Sequence, residues 1–218
     1  MTAATAGGER RFNPAQLGLW AGTGVVIYVA IDVALAFLRP DLSLLHRAES
    51  DYGVGPYSCL MDVNFLIRGV LSLLLAAALL RLGGSPRLRW GIGLIAVWGV
   101  ASGLLAFFPD NPPGTPVTTS GGIHLTLALV AFLAVAVGTI VLAVNFRQLP
   151  RLQPLAGPAL ALALIAVIPL LLLGRTHFQA HTLDGLYERL FLGLELLWIL
   201  VVGLRLHQTR SPSPEMSA

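Results

Sequence analysis

Lysine is missing from this 218-residue sequence, in which all 14 basic residues are arginine. With abundant alanine, leucine and glycine, that bias suggests a bacterial source with GC-rich DNA and carries no information about chemistry. Charge of either sign is scarce: 11% of residues are charged and 56% hydrophobic, where a soluble domain carries roughly a quarter charged. So little polar surface cannot cover a water-soluble core. A single cysteine, Cys59, excludes an intramolecular disulfide framework and a cysteine-based metal cluster and reads as a small helix-end residue. No basic run exceeds two residues, so the net charge of +3 does not mark a nucleic-acid-binding surface.

What the sequence does have is apolar blocks of about 20 residues, the length at which a helix rising 1.5 Å per residue crosses about 30 Å of hydrocarbon. Backbone amides facing lipid must be paired within their own segment, and the blocks are too long for barrel strands. The expected fold class is therefore all-α, a polytopic membrane bundle of six helices in the cell membrane. The spans are read at 16–38, 60–82, 90–108, 122–145, 155–174 and 185–206. Residues 1–15 and 207–218 are polar tails expected to be disordered. The first span exceeds the roughly 7 to 15 apolar residues of a secretion signal, so it reads as retained. Pro158 and Pro169 fall within the fifth span and are expected to bend it.

Arginines distribute unevenly over the connections. Arg10, Arg11, Arg81, Arg87, Arg89, Arg147, Arg151, Arg205 and Arg210 fall on the side of the two tails, against Arg39, Arg47, Arg175 and Arg189 on the other. Nine against four places both termini in the cytoplasm. Gly18 with Gly22, and Gly99 with Gly103, have the spacing that lets helix backbones approach, which we read as packing within one chain; the oligomeric state stays open.

In that orientation the ionisable residues of the spans crowd into the outer halves. Asp32 lies near the outer end of the first span, Asp62 just inside the second, His124 at the head of the fourth, and Glu188 and Arg189 at the head of the sixth. Arg68 and Glu195 go deeper, to roughly 12–15 Å. A bare charge there costs at least about 2.5 kcal/mol, so the two are expected to pair with each other, with Asp32 as the competing partner for Arg68. Glu188 and Glu195, seven apart, share a helix face. A polar pocket open to the outside is implied, capped by a loop presenting Asp51 and by the rigid turn at Pro109–Gly114, expected to hold Asp110 beside His124. His177 and His181 are spaced like two ligands on one helix face, yet solvated loop histidines are the expected case, and no metal or cofactor is assigned.

The stretches His46–Gly69, Phe108–His124 and Gly185–Trp198 resemble a family of bacterial and archaeal membrane proteins known as domain of unknown function nine hundred and ninety-eight. There the first loop more often reads Ser-Glu-Leu-Gly where this chain has Ser50-Asp51-Tyr52-Gly53, keeping an acid. The resemblance implies a six-helix bundle and no reaction. Function is thus narrowed to three readings. First stands binding of a membrane lipid or small amphiphile in the outer pocket. Second comes a membrane-embedded enzyme acting on lipid head groups through His124, Asp51 and Asp110. Third is a small-solute or proton transporter, disfavoured because the inner halves of the spans are nearly purely apolar.

Overall fold

The computed structural model describes residues 13–112, 115–176 and 182–209. Six long helices follow one another: α1 (Pro14–Leu38), α2 (Ser58–Leu80), α3 (Pro86–Leu104), α4 (Thr119–Asn145), α5 (Ala156–Thr176) and α6 (Asp184–Gln208). Each is long and apolar enough to cross a membrane. Short 3-10 turns occupy several connections, among them Glu49–Gly53 after α1 and Leu105–Phe107 after α3. His177 and His181 lie outside the described residues.

Several helices begin before their apolar runs, because polar capping residues nucleate them. The Asn13 side chain accepts from the Gln16 amide while Gln16 returns a bond to the Asn13 amide, and Pro14 occupies the first turn. Ser85 ahead of Pro86 and Thr118 ahead of Thr119 start α3 and α4 in the same way. The fourth apolar run is thus extended by three residues and the third by four. At its far end the third helix stops at Leu104, short of Phe108, and tightens into a 3-10 turn. Of the two prolines in α5, only Pro169 is interior. Pro158 falls in the first turn, where no amide donor is required, so it does not bend the helix.

Sequential helices pack side by side, and α1 closes the ring against α6. The closest seams use the glycines noted in the sequence. A Cβ added at Gly18 would sit 2.7 Å from the Gly203 carbonyl oxygen, and one at Gly203 would sit 2.6 Å from that of Gly18. Gly99 meets Gly69 in the same manner across α2 and α3. These are contacts within the chain. Trp98, Trp198, Phe146, Leu75 and Ile95 fill the centre, where Trp198 donates to the Ala159 carbonyl at 3.1 Å. The outside is as apolar as the inside: Phe37 is 81% exposed, Trp90 74% and Leu171 65%. Faces so exposed are stable only if their solvent is hydrocarbon.

Candidate functional site

Most of the site residues lie toward the end of the bundle away from Pro14 and Gln208, where three connections meet, with Arg68 and Glu195 nearer the middle of their helices. The first is pinned onto the head of α6. The Leu186 amide donates to the Leu45 carbonyl at 3.1 Å, and Arg189 Nη1 donates to the carbonyls of Arg47 at 2.7 Å and Leu44 at 3.1 Å. His46 Nδ1 donates to the Thr182 carbonyl at 2.8 Å. Gly185 is what admits this docking, since a Cβ there would fall 2.2 Å from the Arg47 carbonyl oxygen. Farther along the loop, Arg39 folds the chain into α2. Its Nη1 donates to the Val54 and Pro56 carbonyls, while Nε and Nη2 engage Asp41, whose carboxyl this hydrogen bond holds below its usual range. Gly55 takes the left-handed conformation at φ 82°, which glycine adopts without strain, and so does Tyr57 at φ 62°. Gly53 sits in the 3-10 turn.

Beneath the loops is a cavity of about 840 Å³. Asp51, Arg68, Asp110, His124 and Glu188 of the sequence-derived candidates line it, together with Arg47 and Asp184. Asp32, Asp62, Arg189 and Glu195 are not among its lining residues. Much of the floor is apolar, formed by Phe65, Leu105, Leu125, Ala128 and Phe132, with Arg68 set deeper in α2 than Phe65. Asp51 is bound to Arg47 at 2.8 Å. Burial pushes its carboxyl above the usual range; Arg47 opposes that shift and Asp110 reinforces it, which places the two acids within electrostatic reach of each other.

Along the cavity wall runs a chain of hydrogen bonds linking three helices and the first loop. Arg68 Nη1 donates to the Tyr28 hydroxyl at 3.2 Å, that hydroxyl donates to Glu49 Oε1, and the Glu49 amide donates to Glu188 Oε2 at 3.1 Å. The Arg68 guanidinium also lies over the rings of Tyr28 and Phe65, at 5.7 and 5.3 Å from their centroids. Glu49, Arg68 and Glu188 are buried, so the chain ties α1, α2, α6 and the first loop together inside low-dielectric surroundings.

Two expectations are corrected here. Arg68 and Glu195 do not pair: both Glu195 oxygens lack a hydrogen-bond partner, and its polar neighbour is the Thr139 hydroxyl on α4. Asp32 is not the partner either; it stands within reach of Glu49 and Arg189, and its Oδ1 is unpartnered. Depth along a helix can be counted from a sequence, but azimuth cannot, and α1 separates α2 from α6 around the ring. Secondly, the Pro109 turn does not hold the Asp110 carboxylate on His124. It presents the Phe108 carbonyl, to which His124 Nδ1 donates at 2.7 Å, while Asp110 Oδ1 accepts from the Asn111 amide. His124 is 2% exposed, packs edge-on against Phe65, and its Nε2 has no partner. The carbonyl partner requires a proton on Nδ1. Sequence reasoning missed Tyr28, although its position four residues before Asp32 places it on the same helix face. It also left Arg47 unassigned.

Among the described residues there is no group of three or more His, Cys, Asp or Glu placed to hold a metal ion. The residues that build this end of the bundle also fall within the region that defines the chain's relatives. A family model described as a protein of unknown function, DUF998, matches residues 23–205. The chain belongs to that family. Neither the curated proteins nor the solved structures contain a match.

Proposed function

We propose that this protein is a multi-pass protein of the cell membrane, with both termini in the cytoplasm, that binds a lipid or other small amphiphile in the cavity beneath its outer loops. The observation that carries the reading is the mixed character of the cavity wall. Most charged groups come from the loops and helix heads, Arg47, Asp51, Asp110, Asp184 and Glu188, with Arg68 alone set deeper in α2, whereas Phe65, Ala128 and Phe132 make much of the floor apolar. A molecule with a polar head and a hydrocarbon body matches both regions, and a wholly polar solute would leave the floor dry and unpaired.

A second reading, an enzyme acting on lipid head groups, is favoured by one observation: the buried His124, whose Nε2 has no partner among the described residues, in the wall of a cavity that Asp51 and Asp110 also line. Binding is the more economical conclusion, since it needs no reacting group beyond those present. The test is native mass spectrometry of protein purified in an uncharged detergent, paired with the variant Ala128→Trp, whose indole would fill the floor. Wild-type protein should carry a bound lipid that the variant lacks at equal thermal stability. Recovery of the wild type with no lipid, and with no thermal stabilisation by any added lipid, would overturn the reading.

A further inference from the structure

We infer that the rim where α3 begins and α4 ends is a binding site for an anionic phospholipid, separate from the cavity at the other end of the bundle. Charge in this chain is sorted by end. Among the described residues, Arg81, Arg87, Arg89, Arg147, Arg151 and Arg205 stand at the end that holds Pro14 and Gln208, and no aspartate or glutamate stands with them. The deepest acids, Asp32 and Glu195, lie partway along α1 and α6. Arg87, Arg89 and Arg147 are exposed. Unlike Arg39 and Arg47, which Asp41 and Asp51 each hold at 2.8 Å, these three draw their counter-charge from outside the described chain.

Charge alone would not separate a lipid from a soluble anion or an acidic protein. The surroundings of the arginines do. Gly91 lets the head of α3 press on the tail of α4, since a Cβ there would fall 2.9 Å from the Leu142 side chain. Arg87 stands one turn ahead of Gly91, and Arg147 follows Leu142 in the 3-10 turn Phe146–Gln148 that ends α4, so the close seam brings both to one rim. Trp90, three residues after Arg87 and therefore its neighbour on the helix surface, is 74% exposed. Beneath it the outer faces of both helices are apolar: Val97, seven residues on from Trp90, and Val137 and Val144 of α4 are exposed. Guanidinium groups at the rim, an indole at head-group level and valines below follow the order of phosphate, glycerol and acyl chain in a phospholipid. A soluble anion would leave the indole and the valines unused.

The experiment titrates the full chain in an uncharged detergent with phosphatidylglycerol and with phosphatidylcholine of the same acyl chains, and counts bound lipid by native mass spectrometry. Ala128→Trp is measured beside the wild type, so that lipid held in the cavity is counted apart from lipid on the rim. In both proteins phosphatidylglycerol should bind at least tenfold more tightly than phosphatidylcholine. An arginine close to a membrane surface strengthens attraction to anionic lipid roughly fivefold. Arg87→Gln combined with Arg147→Gln should therefore weaken phosphatidylglycerol binding at least tenfold and leave phosphatidylcholine binding and the unfolding temperature unchanged. Arg87→Glu alone alters the charge by the same amount and should do likewise, which keeps the test decisive if the double variant folds poorly. Arg175→Gln, at an exposed arginine of the cavity end, should change nothing. Equal affinity for the two lipids, or an equal loss in Arg175→Gln, overturns the inference. A preference that disappears in Ala128→Trp places the anionic lipid in the cavity and overturns it as well. Displacement of phosphatidylglycerol by an equal concentration of glycerol phosphate would give the rim to a water-borne anion and sink the lipid assignment.

Discussion

Arg68 is a cation roughly 15 Å below the head of its helix, ten residues on at 1.5 Å each, and it is held by a phenol and two aromatic rings in place of a carboxylate. The Tyr28 hydroxyl accepts from Arg68 and donates to Glu49, so it conducts the attraction between the guanidinium and the acids at the head of α6 without bringing them into contact. Glu195, at similar depth, faces α4 instead. Removing Arg68 costs a hydrogen bond to a charged donor, about 1.5–3 kcal/mol, and a cation–π contact of up to about 2 kcal/mol. Removing Glu195 breaks no ion pair. Thermal unfolding of Arg68→Leu should therefore show a loss of several degrees, Glu195→Leu should be neutral or stabilising, and the double variant should be additive to within about 0.5 kcal/mol. A coupling above about 1 kcal/mol would mean that the two side chains meet in the folded protein.

At the scale of elements, the bundle depends on a few close backbone approaches. The seam between α1 and α6 closes the ring, and there the carbonyl of each glycine occupies the place where the other's Cβ would stand. Gly203→Ala should push the helices apart and cost about 1–3 kcal/mol. Gly193, on the same helix, has open space around it, so Gly193→Ala should be neutral or gain up to about 1 kcal/mol from helix propensity. Equal unfolding temperatures for the two variants would refute the seam. This part of the architecture was legible in the text, since Gly18 and Gly22 announce a close contact by spacing alone, as the apolar runs announce six helices. Helix starts were less legible, because Pro86 and Thr119 lie outside the apolar runs and are recruited by the caps Ser85 and Thr118. Of the nine candidate site residues, the five that line the cavity were found by asking which polar groups share one end of the bundle. Their partners were not, because pairing depends on how far each helix is rotated, and no periodicity in a lipid-exposed helix that is apolar all round records that angle. Tyr28 was lost for the same reason.

At the scale of the whole molecule, the two ends of the bundle use arginine differently. At the cavity end, Arg39 is clamped by Asp41 and two loop carbonyls, Arg47 by Asp51, and Arg189 by three carbonyls. These charges are spent on shaping the fold. At the other end Arg87, Arg89 and Arg147 are exposed, against Arg175 at the cavity end, and they would meet anionic lipid head groups if that end is cytoplasmic. The bias that orients a membrane protein comes from such exposed charges near the ends of its spans, so the nine-to-four count understates the asymmetry. In a Cys59→Ser background, single cysteines at Ser43 and Thr115, both exposed at the cavity end, should react in intact cells with a membrane-impermeant thiol reagent. Cysteines at Ser85 and Gln153 should react only after the membrane is opened. The cavity would then face the outside, where an amphiphile can reach it without crossing the bilayer. Labelling of the second pair alone would turn the protein over, and the cavity would have to be filled from the cytoplasmic leaflet.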